Sequence, residues 1–484
     1  MFSSPVTWLA VTATIVYLVV SYRSTPTPLP PGPKPKFFSG NLHQLPKIEK
    51  WKVYREWSNT YGPIFMYKVF GKKTIILNTL KTASDLLDGR SNLYSDRPRS
   101  WIYTEYIGRS LSVLNVSSQN PRHKIYRKLM HSGLNARAIN SYQNLMEQES
   151  QTLAQNLMEF PDDFINHLRQ NAGAIILKLA YGWTVTGNRD RFVVAMEEAF
   201  ELTAELTRPG KWLVDAIPLL RFIPSWFPGG SFKLRAEEHK RELLAVDQIP
   251  FDWAKKEINS GNYIPSFTSQ HLFPEDGHKV NAEEEDILKW TSSALYVGGA
   301  DTTVATMTAF FAAMSLFPST QEKARQEVDE IIGIRKPVFA DQASMPYISA
   351  LIKEVLRWAP SAPLGLPHYV IQDDIYSGHF IPKDTIVFAN IWAISRQEEI
   401  YPNPEEFDPE RYLGPTPQMD PRKFLFGFGR RVCPGAAFAE ASVFINITNL
   451  LSQFTISKAI DTNGAEITPT IEFTSTMTRV AQTM

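Results

Sequence analysis

Phe426-Gly427-Phe428-Gly429-Arg430-Arg431-Val432-Cys433-Pro434-Gly435 spans the only cysteine in a chain of 484 residues. A single cysteine makes no internal disulfide and no zinc or iron–sulfur site built from several thiolates. Three roles remain: a buried apolar thiol, a nucleophile, or a one-sulfur metal ligand. The surroundings favour the ligand. Three glycines and Pro434 bracket Cys433, so the backbone can turn tightly and aim amide N–H groups at the sulfur. Those donors, with Arg431 close by, favour the thiolate and tune its electron donation. From Gly435 onwards, Ala436-Ala437-Phe438-Ala439-Glu440-Ala441 reads as a helix start, whose positive end suits an anionic sulfur.

Phe426, Gly429, Arg431, Cys433 and Gly435 form the pattern F-x-x-G-x-R-x-C-x-G, which resembles the haem-binding signature of the cytochrome P-450 family. The resemblance implies a mainly α P-450 fold with a small β-rich subdomain. It also implies haem b, with iron held by the Cys433 thiolate. A lone core cysteine is the commoner fate of such a residue. Five matching types in ten places outweigh it.

Composition sets the outer bounds. Hydrophobic residues make up 43% and charged residues 21%, as in a globular chain with a large core. Lys+Arg and Asp+Glu both number 50, so nothing argues for a nucleic-acid partner. No linker-like break follows the N-terminal region, so residues 37–484 read as one catalytic domain, expected to be monomeric. A lone functional cysteine fits a reducing compartment.

Pro5 to Tyr22 carry no charge, and Arg23 ends the run. That length is near the lower limit for spanning a bilayer. No positive segment precedes it and no small-residue cleavage site follows, so residues 1–22 read as a single transmembrane anchor. Arg23, Lys34 and Lys36 place the rest in the cytosol, and the endoplasmic reticulum membrane is the expected location. Residues 23–36 follow as a stiff proline-rich hinge, which looks like that of membrane-bound P-450s. Residues 217–230, apolar and broken by proline, interrupt a mainly helical region between Asp162 and Glu257. They are read as a packed loop or, by resemblance, as a segment dipping into membrane lipid through Trp226.

Ile64 to Leu77 reads as a hairpin split at Gly71-Lys72-Lys73. The resemblance makes Trp101 to Ser118 a candidate wall of the substrate pocket. Pro121 to His131 is a basic helix, which most often means a solvated face. In the family such a helix carries W-x-x-x-R, whose two side chains hold a haem propionate. Arg127 matches; His123 stands in the tryptophan place and can still donate a hydrogen bond.

Asn281 with Glu284 makes a capping box, and Pro318 closes the apolar run that follows, so a helix of about 35 residues and about 50 Å is expected. Gly298-Gly299 sit in its middle, each costing on the order of 1 kcal/mol relative to alanine. Close approach of a flat ligand would justify that cost. Asp301-Thr302-Thr303 follow. This resembles the family's G-x-D/E-T-T element on the oxygen side of the haem. There Asp301 would relay protons, while Thr302 would kink the helix and hold water. Alone, Thr302 reads as a back-bonded helix threonine and Asp301 as a surface acid.

Glu354 and Arg357 share one helix face. By resemblance they join Arg411, from Pro409-Glu410-Arg411-Tyr412, in a structural charge network. His368 matches a propionate-binding position. Tyr296, Val297, Ala300, Leu364, Leu366 and Met477 are candidate pocket residues, and Ile381 to Trp392 reads as strands. Asp461 to Gly464 signals a turn. Asn115-Val116-Ser117 and Asn446-Ile447-Thr448 fit the glycosylation pattern by coincidence.

The expected activity is therefore a haem-thiolate monooxygenase acting on an apolar small molecule, most like fungal P-450s of secondary metabolism (terpenoid or polyketide). It would use O2 and electrons from NADPH through a cytochrome P-450 reductase docking near Lys124, Lys128, Arg422 and Lys423. A haem-thiolate isomerase or dehydratase needs neither O2 nor reductase, and Asp301 and Thr302 argue against it. A haem sensor is the third class.

Overall fold

The computed structural model describes residues 27–469, except 188, 209, 275, 276 and 462, together with Thr12 and Thr14. The apolar run at 5–22, apart from those two threonines, lies outside the described residues, as does Met477. The longer helices are α1 (Lys50–Tyr61), α2 (Pro121–Leu134), α3 (Ala136–Glu159), α4 (Phe164–Tyr181), α5 (Arg191–Leu206), α6 (Phe232–Ser260), α7 (Ala282–Leu316), α8 (Pro318–Ile332), α9 (Pro346–Trp358) and α10 (Ala436–Gln453).

Helix α7 is the axis of the core. Asn281 accepts from the amides of Glu283 and Glu284 at 2.9 and 3.1 Å, and Glu284 accepts from the Asn281 amide at 2.9 Å. Glu283, Glu284 and Glu285 in its first turn suit the positive helix end. The helix runs 35 residues, as expected, and Pro318 opens α8 directly after it. Its apolar sides are covered by neighbours, α4 foremost. Gly299 permits that packing, because an added Cβ would stand 3.1 Å from the Ile176 side chain of α4. A flat ligand is therefore not what Gly299 makes room for. At Gly298 an added Cβ would meet nothing within 4 Å.

Buried amides lock α10 to its neighbours. Asn449 donates to the Ser150 carbonyl at 2.7 Å, and Asn446 to Asn171 Oδ1 at 2.9 Å. Asn446 and Thr448 are wholly buried, so the sequon there is unreachable in the folded chain.

The β-rich part is a four-stranded sheet in the order β1 (Ile64–Val69), β2 (Lys72–Leu77), β6 (Ile386–Ala389), β3 (His368–Tyr369). Strands β1 and β2 form the expected hairpin, but the turn is Phe70-Gly71, both at positive φ, and Lys72 and Lys73 already pair with Val69 and Lys68. Strands β4 (Asp374–Tyr376) and β5 (His379–Ile381) pair separately, as do β7 (Ala459–Ile460) and β8 (Glu466–Ile467) beyond the Asp461–Gly464 turn. The expected strand over 381–392 is shorter: Ile391–Ile394 is a helical turn capped by Asn390.

Part of the proline-rich stretch is docked on the domain. Pro28 and Pro31 carbonyls accept from the amides of Phe380 and Met66, each at 2.8 Å. An added Cβ on Gly32 would stand 1.9 Å from the Met66 carbonyl oxygen, so only glycine lets the chain lie this close to edge strand β1. Prolines suit the place because an edge contact asks no N–H of them.

Residues 217–230 are irregular apart from a short 3-10 turn over Pro218–Phe222, and they expose Leu219, Phe222 and Trp226. Among the described residues no single helix is long and apolar enough to cross a membrane.

Candidate functional site

The Cys433 loop is shaped by its glycines. The Cys433 amide donates to the Phe426 carbonyl at 2.7 Å, closing the loop. Gly427 and Gly429 take φ of 85° and 54°, and a Cβ on Gly429 would stand 2.3 Å from the Leu87 carbonyl oxygen. Gly435 then caps α10. Cys433 is solvent-accessible although protein crowds it on its other sides. Burial raises the thiol pKa, while the Gly435 N–H and the Arg127 charge pull it down. The expected helper, Arg431, points elsewhere. It donates to the carbonyls of Ser95 (2.8 Å) and Val116. Arg127, which donates to the Val432 carbonyl at 2.6 Å, is the cation that acts on the sulfur.

Around this loop the structure gathers Arg97, His123, Arg127, His368 and Arg431. His368 bonds the Tyr94 carbonyl at 2.8 Å, and Arg97 bonds the Pro367 carbonyl at 2.6 Å. Burial and then like charge push each titration down: Arg97 to about 9, Arg431 to about 10. His123 falls to about 4, through burial and then Arg431, and His368 to about 3, through burial and then Arg97. Among the described residues, Asp96 is the one carboxylate acting on Arg97 and Arg431. His123 Nε2 is buried with no hydrogen-bond partner. Such a cluster lacks anions. Sequence reasoning missed Arg97, which nothing local marks; the irregular chain from 95 to 100 brings it there.

Glu354, Arg357 and Arg411 meet in the interior, at 0%, 0% and 6% exposure, so none can remain charged without partners. Arg357 forks onto Glu354 at 2.7 and 2.8 Å and donates to the carbonyls of Ser395, Pro404 and Glu406. Arg411 Nε and Tyr412 Oη donate to the same carboxylate at 3.2 and 3.1 Å. The network thereby ties α9 to the chain that leads into the Cys433 loop.

On α7, the Thr302 hydroxyl donates to the Gly298 carbonyl at 2.7 Å, and the helix stays unbroken. This is the back-bonded helix threonine that Thr302 reads as when taken alone. Asp301 lines a cavity of about 30 Å³, room for about one water, with Arg169, Glu197, Tyr296 and Ala300. Burial lifts its carboxyl to about 6, Arg169 opposes the rise, and Glu197 adds to it. Arg169 and Glu197 pair at 3.3 Å, each side chain about 40% exposed, so the cavity borders solvent. Tyr296, expected in the pocket, lines this cavity while its ring is buried in the core and its hydroxyl donates to the Phe192 carbonyl at 3.0 Å. Val297 is half-buried against the main core, and Leu364 leans on the cluster around Tyr54 and Phe65. Leu366 is half-buried, and its carbonyl accepts from Arg97 at 3.3 Å. The chain there is irregular before strand β3.

Lys124, Lys128 and Lys423 are exposed. Arg422 differs: it pairs with Asp420 and Glu440 of its own chain.

Among the described residues no group of three His, Cys, Asp or Glu could hold a bare metal ion. A lone accessible thiol therefore fits a metal whose other ligands come with it. The surplus cations and the orphaned His123 nitrogen fit two carboxylates on the same group. Haem supplies both.

The cytochrome P450 family model matches residues 30–478. Among curated proteins the chain is 39% identical to cytochrome P450 monooxygenase claR of Ampulloclitocybe clavipes, over 97% of this chain and 88% of the relative. It is 38% identical to cytochrome P450 monooxygenase 208 of Postia placenta (95% and 90%) and 36% identical to cytochrome P450 monooxygenase ppsD of Aspergillus oryzae (89% and 83%).

Proposed function

This chain belongs to the cytochrome P450 family, whose members are haem-thiolate, oxygen-incorporating oxidoreductases, and from that premise we propose that it oxidises an apolar small molecule of fungal secondary metabolism. O2 and NADPH-derived electrons, delivered by a membrane-bound reductase, would drive it. The observation that carries this is the accessible Cys433 sulfur beside a cation cluster short of anions. When bound, haem supplies dioxygen activation at an iron whose electron density the thiolate raises.

The chain's own residues do the rest. Cys433 ligates, with Arg127 and the Gly435 amide stabilising its negative charge. Arg97, Arg127 and Arg431 would neutralise two carboxylates, with His123 offering a hydrogen bond and His368 beside them. Asp301, held near a pKa of 6, gives and takes protons at neutral pH, and Arg169 and Glu197 border its water-sized cavity. Thr302 orients a hydroxyl one residue on. Leu364 and Leu366 are proposed to line the substrate space. The segment over 217–230, the docked proline strap and the apolar run at 5–22 support a membrane-anchored protein of the endoplasmic reticulum, facing the cytosol.

Incubation with reductase, NADPH, isotopically labelled dioxygen and a panel of terpenoids and polyketides tests the reading. One labelled oxygen atom in a product is expected. A product formed equally without NADPH and O2 would instead make the chain an isomerase or dehydratase.

A further inference from the structure

Trp101 carries two guanidinium groups. Arg99 Cζ lies 4.1 Å and Arg221 Cζ 4.3 Å from its ring centre, which bounds their separation at about 8 Å. These three residues come from the two segments that cover this side of the molecule. Asp215 joins the segments, accepting from the Ser100 hydroxyl at 3.2 Å and from the amides of Trp101 and Ile102. Tyr106 Oη donates to the Arg221 carbonyl at 3.3 Å. Arg99 is paired with Glu105 at 2.9 Å. Among the described residues no carboxylate lies within ion-pair reach of Arg221, whose side-chain contacts are aromatic. Asp215 is committed to its cap, and its cationic neighbour is Lys72.

Apolar surface continues directly from this pair. Phe222, whose ring Arg221 also covers at 4.6 Å, is 68% exposed, with Leu219 at 74% and Trp226 at 81%. Between residues 208 and 235 the chain carries five cations (Arg208, Lys211, Arg221, Lys233, Arg235) against the single carboxylate of Asp215. A Cβ added to Gly210 would stand 3.2 Å from the Leu42 side chain, so the start of this stretch lies against Leu42. Lys211 pairs with Glu205, as Arg99 does with Glu105, which leaves Arg221 without a carboxylate beside the greasy tips among the described residues. Apolar tips beside such a cation match one surface chemistry: acyl chains under anionic headgroups.

We propose that Arg99, Trp101 and Arg221 form a binding site for the net negative headgroup of an anionic phospholipid, which clamps the 101–106 segment to the 213–222 segment. The proposal rests on the membrane-contact reading of 217–230. The negative headgroup sits against the two guanidinium groups and supplies the counter-charge that Arg221 lacks, while Leu219, Phe222 and Trp226 enter the acyl layer. Anionic lipid thereby tightens the cover over the candidate pocket wall.

Hydrogen exchange on the full-length holoprotein in nanodiscs tests this. One disc is phosphatidylcholine alone, and the other contains about one quarter phosphatidylserine. Segments 101–106 and 213–222 are expected to exchange about tenfold more slowly in the anionic disc. Arg99→Gln/Arg221→Gln should remove that difference while leaving exchange in the neutral disc unchanged. Inorganic phosphate added to the neutral disc should not reproduce the slowing; if it does, the site binds free phosphate and the lipid assignment is overturned. Equal protection of the wild type in both discs overturns the headgroup site but keeps the membrane contact. No protection of 213–230 in either disc, relative to detergent, overturns the contact itself.

Discussion

His123 shows how one residue type changes a contact without changing its purpose. Held near a pKa of 4 by burial and the Arg431 charge, its imidazole is neutral at physiological pH and can donate one N–H. An indole donates one N–H as well. His123→Trp should therefore retain haem, whereas His123→Phe, with no donor, should release it about tenfold faster to apomyoglobin. Equal release from all three proteins would remove His123 from the site. At Asp301 the sign of the shift gives a second test. A carboxyl lifted from 3.8 to about 6 binds its proton more tightly when folded. Stability therefore falls as pH rises between those values, and the full penalty applies above the upper one. Asp301→Asn should gain at most about 3 kcal/mol above pH 6 and nothing below about pH 4, read by thermal unfolding. Product formation should nonetheless fall about 100-fold at neutral pH. A variant that loses both stability and activity would make Asp301 a structural acid.

At the scale of elements, the Glu354 carboxylate is the hub. Glu354→Gln leaves Arg357 and Arg411 charged and buried with no counterion, an expected loss of about 3–5 kcal/mol in urea unfolding. An unchanged midpoint would show that carbonyl acceptors alone suffice. The same elements show what the chain reveals before it folds. Helix α7 was legible at both ends because its capping box and Pro318 are local signals. The Cys433 loop was legible because its glycines meet local steric demands. Long-range facts were not. Gly299 serves Ile176 of α4, over 120 residues earlier in the chain, and Tyr296 turns to the Phe192 carbonyl. Arg97 reaches the cation cluster through an irregular loop with no periodicity to read. Proximity in sequence points to Arg431 as the sulfur's cation, yet Arg127, on helix α2, acts there.

At the scale of the whole molecule, Leu219 and Trp226 expose apolar tips, and the proline strap docks on Met66 and Phe380. Lys124, Lys128 and Lys423 are exposed near the Cys433 loop, with Arg422 already neutralised by Asp420 and Glu440. Electrons from an acidic reductase would enter there. Lys124→Glu/Lys128→Glu should slow reduction about tenfold at low salt, with the difference shrinking as salt rises. Stopped-flow rates independent of both charge and salt would place the docking surface elsewhere.

All of this depends on sulfur reaching iron. The most direct measurement is the carbon monoxide difference spectrum of the reduced, haem-loaded protein. A red-shifted Soret band of the kind thiolate ligation gives is predicted for the wild type, and its loss in Cys433→Ser with haem still bound. A band typical of nitrogen ligation in the wild type, or a thiolate-type band that survives the serine substitution, would contradict the account.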